Sequence, residues 1–305
     1  MFLLFIALIL FLFLYRFDKY KAILLSGRYS RHFYYSFVFI SGFLCCLFSK
    51  GLSFFSVVPP FIGGVVLINL LFLSGLILNN LYDAKIDVTN KKPNPLTFKQ
   101  NLKSTHIRFF VGLFIYSGVL AFSLSPRVFI LTLCIHFIAY FYSCPPFRLK
   151  RVFILNTAVI AFATILAWLL GCACVPGADL SHLPLKFLAI IFTALTLAFN
   201  VKDVNDFKGD KQYGIATVMT VFGARLGKGI SAALAFVGYI LVALALGSRV
   251  FLFLSLLPAT ATFLAILLPK NKINEPLIFL IFFVSAATFI IFPHFIPTLF
   301  IYNIK

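Results

Sequence analysis

Acid is what this chain has least of: eight Asp and Glu residues stand in 305, against 26 Lys and Arg, for a formal net charge of +18. Charge of either sign is sparse, at 11% of residues, while 62% are hydrophobic and mean hydropathy is +1.06. With so little to solvate it, the chain is excluded from the soluble globular class, and lipid becomes its expected solvent. The six cysteines include no C-x-x-C pair and fall mostly inside apolar runs, which excludes a disulfide framework and makes them small packing residues. The five histidines are dispersed without ligand spacing, so no zinc site is expected. No long linker, low-complexity tail or soluble domain is visible. The 41 phenylalanines are read as a bias that lipid-facing surfaces tolerate.

What is present is a series of long apolar runs. About 20 such residues cross a hydrocarbon core as a helix. Spans are expected at roughly 33–49, 52–79, 107–124, 127–143, 152–175, 185–200, 227–247, 250–268 and 277–302. The fold class is therefore all-α, a polytopic transmembrane bundle of nine core spans with an extra N-terminal helix. That extra stretch, 2–15, has no small-residue cleavage site after it and is read as an uncleaved anchor. Residues 1–24 then form an anchor and basic linker, and 25–305 the transmembrane domain.

A charge of +18 raises the question of nucleic acid, but the placement of the cations excludes it. Sorted by alternate loops, the Lys and Arg residues divide 21 to 5, and each poor loop holds a single cation. This is the positive-inside pattern, which puts the rich loops in the cytoplasm and the chain in the cell membrane. A basic cytoplasmic face also attracts anionic lipids and anionic substrates.

The scarce acids are not scattered. Asp83 and Asp87 form one group and Asp203, Asp206 and Asp210 another; only Asp18, Asp179 and Glu275 stand alone. Both groups begin where an apolar span ends, on the same expected membrane side, and D-x-x-x-D recurs at 83–87 and 206–210. Gathered carboxylates repel one another unless a cation sits between them, and hard divalent cations take oxygen ligands. Asn79, Asp83 and Asp87 stand at i, i+4, i+8, so a helix continuing out of the membrane carries them on one face. Asp203, Asp206 and Asp210 stand at i, i+3, i+7, which again predicts one helical face. Two such faces suit a pair of Mg²⁺ ions holding a diphosphate whose tail lies in the bilayer.

Three motifs carry a family resemblance. N-N-L-Y-D-A-K-I-D-V-T-N-K-K-P-N-P-L (79–96) resembles the first aspartate-rich motif of the UbiA-type membrane prenyltransferases, and D-V-N-D-F-K-G-D (203–210) resembles the second. Between them, Tyr142 to Arg151 resembles the Y-S-x-P-P-x-R-L-K-R loop of the homogentisate prenyltransferase and chlorophyll synthase branch. Order, spacing and topology agree over roughly 25–302. Two positions depart from the pattern. Asn80 stands where Asp is usual, and Asn94-Pro95 replaces Arg-Pro, with Lys91 and Lys92 upstream as substitutes.

The resemblance implies a Mg²⁺-dependent enzyme that transfers a prenyl group from a prenyl diphosphate to an aromatic or lipid-precursor acceptor, with release of diphosphate. It implies Asn79, Asp83 and Asp87 on one metal and Asp203, Asp206 and Asp210 on the other. Arg148, Lys150 and Lys211 are expected at the diphosphate, with Tyr142 at the substrate and Tyr82 and Tyr142 placed to stabilise positive charge through their rings. Two other classes compete. A transporter fits the span number, but no Asp, Glu, Lys or Arg lies deep within a span except at its edges. A CDP-alcohol phosphotransferase is also a membrane Mg²⁺ enzyme, but its D-G-x-x-A-R stretch is missing.

Overall fold

The computed structural model describes residues 29–92, 94–98, 103–180, 185–247, 249–268 and 273–295. The expected helix at 2–15 lies outside the described residues, as does the end of the expected span 277–302. Among the described residues every regular element is helical. The long helices are α1 (Tyr29–Ser49), α2 (Val58–Thr89), α4 (Lys103–Leu124), α5 (Pro126–Ser143), α6 (Leu155–Ala173), α7 (Leu185–Ala198), α10 (Ala224–Ala245), α11 (Arg249–Leu267) and α12 (Glu275–Phe295). Short helices α3 (Pro95–Phe98), α8 (Phe207–Gln212) and α9 (Val218–Phe222) lie in the two longest connections.

Eight of the segments are long and apolar enough to cross a membrane. The ninth expected span corresponds to α12, which is apolar over the shorter stretch Glu275–Thr288. Large apolar side chains face outward, including Phe55, Leu185, Leu257 and Phe253, as a lipid-solvated bundle requires. The chain is an integral membrane protein.

Packing runs from neighbour to neighbour and closes into a ring. α1 packs on α2, α2 on α4, α4 on α5, α5 on α6, α6 on α7, α7 on α10, α10 on α11, α11 on α12, and α12 returns to α1. The tightest crossing, α1 on α6, depends on glycine. A Cβ at Gly42 would fall 2.1 Å from the Trp168 carbonyl oxygen, and one at Gly171 2.1 Å from that of Phe39. Lipid tails are as apolar as leucine, so such close backbone approach supplies the packing energy that the hydrophobic effect supplies in water. Polar glue adds to it where His136 is hydrogen-bonded through Nε2 to Ser117 Oγ at 2.8 Å, joining α5 to α4.

α2 is the element that matters most for the site. At 32 residues it is about 48 Å long at 1.5 Å per residue, well beyond a 30 Å hydrocarbon core. Its surplus turns emerge from the apolar layer and carry the first acidic group. The helix ends at Asn90, followed by Lys91 in a left-handed conformation (φ 55°) that turns the chain back over the helix end.

Candidate active site

The ring of helices encloses a cavity of about 360 Å³, within the range of small-molecule sites. Its deep walls are apolar and aromatic, with Ile68, Leu71, Phe72, Ile160, Leu195 and Phe282 among them. Its mouth is lined by Asn79, Asp83, Asp87, Asp203, Asp206 and Asp210, together with Tyr142 and Lys150. Residues more than a hundred positions apart are thus brought to one opening, on the same side of the bundle.

The first group sits as its spacing predicts. Asn79, Asp83 and Asp87 lie on the unbroken helix α2, and all three face the cavity. Asp83 Oδ1 is paired with the Lys150 ammonium and with Arg148 Nη2 at 3.0 Å. The same guanidinium nitrogen donates to the Tyr82 carbonyl at 2.9 Å, which locks the loop of 144–151 onto α2. Asn94 Nδ2 donates to Asp87 Oδ2 at 2.8 Å and to the Asn80 carbonyl at 3.0 Å. Lys150 is almost fully buried, and burial pulls its ammonium below its ordinary pKa against the opposing pull of Asp83.

The second group departs from the expected continuous helix. Asp203 ends a 3-10 turn (Phe199–Asp203), Asp206 precedes α8, and Asp210 lies inside α8. The break falls at Val204-Asn205-Asp206. Asn205 turns away to accept from the Ile273 amide at 2.9 Å and to donate to Glu275 Oε1 at 2.8 Å. Side-chain bonding of this kind competes with helix continuation, which explains the interruption. The three carboxylates still line one cavity because other elements hold them. Asn156 Nδ2 donates to Asp203 Oδ2 at 2.9 Å, Lys202 pairs with Asp203, and Lys92 Nζ donates to Asp206 Oδ2 at 2.6 Å. Asp210 is pushed up to about 8 by burial and then by the carboxylates of Asp203 and Asp206.

One contact fixes the separation of the two groups. The Gly209 amide donates to Asn90 Oδ1 at 2.7 Å, and a Cβ on Gly209 would lie 2.5 Å from Asn90 Nδ2. Glycine leaves the room that the Asn90 amide occupies, and any side chain at 209 would have to displace it.

Several expected roles need revision. Lys211 is exposed, with its ammonium 5.8 Å from the Phe207 ring centre, and it does not line the cavity. It is the next residue after the buried Asp210 on α8, about 100° further round the helix. Tyr82 likewise points outward, 43% exposed, and only its backbone carbonyl takes part. Arg148 does not line the cavity but reaches Asp83 from behind. Lys202, Asn94 and Asn156 make direct contacts to the acidic side chains that spacing did not assign, Asn90 holds the Gly209 amide beside Asp210, and Lys92, noted in the sequence only as a substitute for a missing Arg, pairs with Asp206. Lys202 could have been found from its place beside Asp203; Asn156 has no signal in the sequence.

Among the described residues no three His, Cys, Asp or Glu side chains converge closely enough to cage an ion by themselves. The donors nonetheless fit Mg²⁺. All are oxygens, and Asn79 Oδ1 is buried without a hydrogen-bond partner while its residue lines the cavity. Mg²⁺ keeps several waters and takes one or two carboxylates along with phosphate oxygens, so a closed protein cage is not required.

Comparison with known proteins agrees with this architecture. A digeranylgeranylglyceryl phosphate synthase of Sulfolobus acidocaldarius is 25% identical over 167 residues, covering 55% of this chain and 59% of that protein. A probable chloroplastic homogentisate phytyltransferase 2 of Oryza sativa subsp. japonica is 30% identical over 167 residues, covering 50% of this chain and 43% of that protein. The chain thus spans about half the length of these curated relatives. In fold it is similar to a UbiA homolog from Archaeoglobus fulgidus bound to GPP and Mg²⁺, with a TM-score of 0.65, 19% identity, and coverage of 92% of this chain and 99% of that one. Residues 38–285 match the UbiA prenyltransferase family. That match covers most of the chain and agrees with the motifs, the helical ring and the acid-rimmed cavity, so this integral membrane protein belongs to the UbiA prenyltransferase family.

Proposed function

We propose that the chain transfers a prenyl group from a prenyl diphosphate to an aromatic or lipid-precursor acceptor and releases diphosphate, with Mg²⁺ required. The observation that carries this reading is the convergence of Asn79, Asp83, Asp87, Asp203, Asp206 and Asp210 on one cavity whose remaining walls are apolar. Solved structures point the same way: those of a UbiA homolog from Archaeoglobus fulgidus are described with DMAPP and Mg²⁺ and with GPP and Mg²⁺. The 21 to 5 division of cations supports a mouth that opens to the cytoplasm, in the cell membrane.

Asn79, Asp83 and Asp87 on one side, and Asp203, Asp206 and Asp210 on the other, would hold Mg²⁺, two ions in all. When bound, Mg²⁺ neutralises the charge that develops on a departing diphosphate. The chain's own residues do the rest. Lys150 and Lys92 are already placed at the mouth, each on a carboxylate, and supply positive charge where phosphate oxygens arrive. Arg148 holds Asp83 in position from outside the cavity. Asn90, Asn94 and Asn156 orient the acidic groups through neutral hydrogen bonds that add no charge to the site. Tyr142 lines the cavity near Lys202, Asp203 and Asp83 and presents a ring to positive charge on the allyl group. Deeper in, the apolar walls seat the isoprenoid tail and exclude the water that would capture an allylic cation.

The direct test is an assay of membranes containing the protein with labelled geranylgeranyl diphosphate and a panel of acceptors, with and without EDTA. Labelled product that disappears with EDTA supports the reading. Absence of prenylated product with every acceptor and every donor length overturns it.

A further inference from the structure

Among the described residues, one cation that lines the cavity is not paired with the two acidic groups. Arg31, Lys92, Lys150 and Lys202 all line it. Lys150 is paired with Asp83, Lys92 with Asp206 and Lys202 with Asp203, so three of the four belong to the diphosphate end. Arg31 stands on α1 and faces Glu275 on α12. Among the described residues its one ion pair is with Glu275 Oε2 at 3.9 Å, beyond hydrogen-bond range. Glu275 does not close on it, because its other oxygen accepts from Asn205 Nδ2 at 2.8 Å. A guanidinium with its planar fork uncommitted, 23% exposed and facing a cavity, matches a carboxylate or a phosphate better than any other common group.

The surroundings suit the body of such a ligand. Tyr35, one turn further along α1, lines the cavity, and its ring centre is 5.4 Å from that of Phe72. Phe279, one turn beyond Glu275 on α12, completes an aromatic wall below the charged rim. Glu275 beside the guanidinium repels a multiply charged diphosphate more strongly than a single anionic group, so the neighbour sharpens the choice of ligand.

We propose that Arg31 anchors the acceptor through an anionic substituent, a carboxylate or a phosphate, with Tyr35 and Phe72 against the acceptor's body. The proposal rests on the prenyl-transfer reading and adds where the second substrate is held and by which group.

The experiment separates acceptor from donor. Purified full-length protein in lipid nanodiscs is titrated calorimetrically with three probes in the absence of donor: a hydroxyphenyl carboxylate, a glyceryl phosphate ether and an uncharged hydroquinone. Steady-state kinetics with geranylgeranyl diphosphate are run in parallel. Wild type is expected to bind one of the two anionic probes, and which one it binds identifies the acceptor class. Arg31→Ala should weaken that probe by about 10- to 100-fold, the range for loss of a charge-assisted hydrogen bond. The KM for the donor should stay within about two-fold, and Arg31→Lys should fall between wild type and Arg31→Ala. Glu275→Gln should tighten the same probe. The assignment is overturned if Arg31→Ala raises the donor KM instead of weakening the acceptor, or if the uncharged hydroquinone binds wild type as well as the anions do. A wild-type protein that transfers no prenyl group sinks the prenyl-transfer reading, while the titrations still read out Arg31.

Discussion

The two acidic groups do similar work on unlike supports. Asn79, Asp83 and Asp87 stand on an unbroken helix of 32 residues, whose backbone alone determines their spacing and direction. Asp203, Asp206 and Asp210 are spread over a 3-10 turn, a break and the six-residue helix α8. Such a segment has little cooperative stability of its own. It is shaped from outside, by Asn156 from α6, by Asn90 and Lys92 from the end of α2, and by Glu275 from α12 through Asn205. One half of the site is therefore built by local structure and the other by tertiary contact. The halves should fail differently when mutated, the first mainly through its own ligands and the second through its supports as well.

The largest expected effects do not distinguish the halves. Asp83→Ala and Asp206→Ala should each lower prenyl transfer by roughly 10³-fold, comparable to deleting a principal electrostatic contact in an active site. Both variants should still insert in the membrane, as membrane fractionation followed by immunoblotting will check. Near-normal turnover in both would remove the acidic groups from the chemistry.

Gly209→Ala tests the contrast itself. Its Cβ would meet the Asn90 side chain at 2.5 Å, displacing α8 from the end of α2 and carrying Asp210 with it. We expect a loss of roughly 10- to 100-fold in kcat/KM, as small misplacements of a reacting group produce. Gly112→Ala on α4 is the control, since a Cβ there meets nothing within 4 Å, and its kcat/KM should match wild type. If the two alanines behave alike, close approach of α8 to α2 is not what shapes the second group.

The same contrast explains which parts of the molecule were legible in the amino-acid sequence. Span positions follow from apolar runs and the alternation of cations, both local properties. The face shared by Asn79, Asp83 and Asp87 follows from helical periodicity, which held because α2 continues without interruption. The i, i+3, i+7 reading of the second group assumed a helix that Asn205 interrupts by bonding to Ile273 and Glu275, nearly 70 residues away. No periodicity contains such a partner. Asn156 and Asn90 were illegible for the same reason. Adjacency to Asp210 in the chain does not bring Lys211 to the cavity, because successive residues on α8 are rotated by about 100° and Lys211 is exposed.

Asn156→Ala should produce an intermediate loss. It removes one hydrogen bond to a buried carboxylate, a change of about 1.5–3 kcal/mol, or roughly 10- to 100-fold at most. Because Asp203 itself remains, part of the loss should be recovered at high Mg²⁺, whereas Asp83→Ala should not recover. A magnesium titration of both variants separates a displaced ligand from a missing one. Equal recovery, or none in either, would mean that Asn156 does not act through Asp203.

The smallest expected effect is the most discriminating for charge. Lys92 and Lys211 are both lysines within five residues of an acidic group in space or sequence, and simple attraction of an anionic substrate to a basic face would make them interchangeable. The structure separates them: Lys92 lies in the cavity on Asp206, and Lys211 lies outside it beside Phe207. Exposed charges at that remove are screened within about 8 Å at physiological ionic strength. Lys211→Ala should therefore leave the donor KM within about two-fold of wild type at 0.15 M salt, with any residual effect vanishing at higher salt. Lys92→Ala should raise the donor KM by roughly ten-fold or more, with weaker salt dependence, because a half-buried charge in the cavity is screened less than an exposed one. Donor titrations at two ionic strengths decide the matter. Equal, salt-sensitive losses in both variants would reduce the basic rim to general attraction.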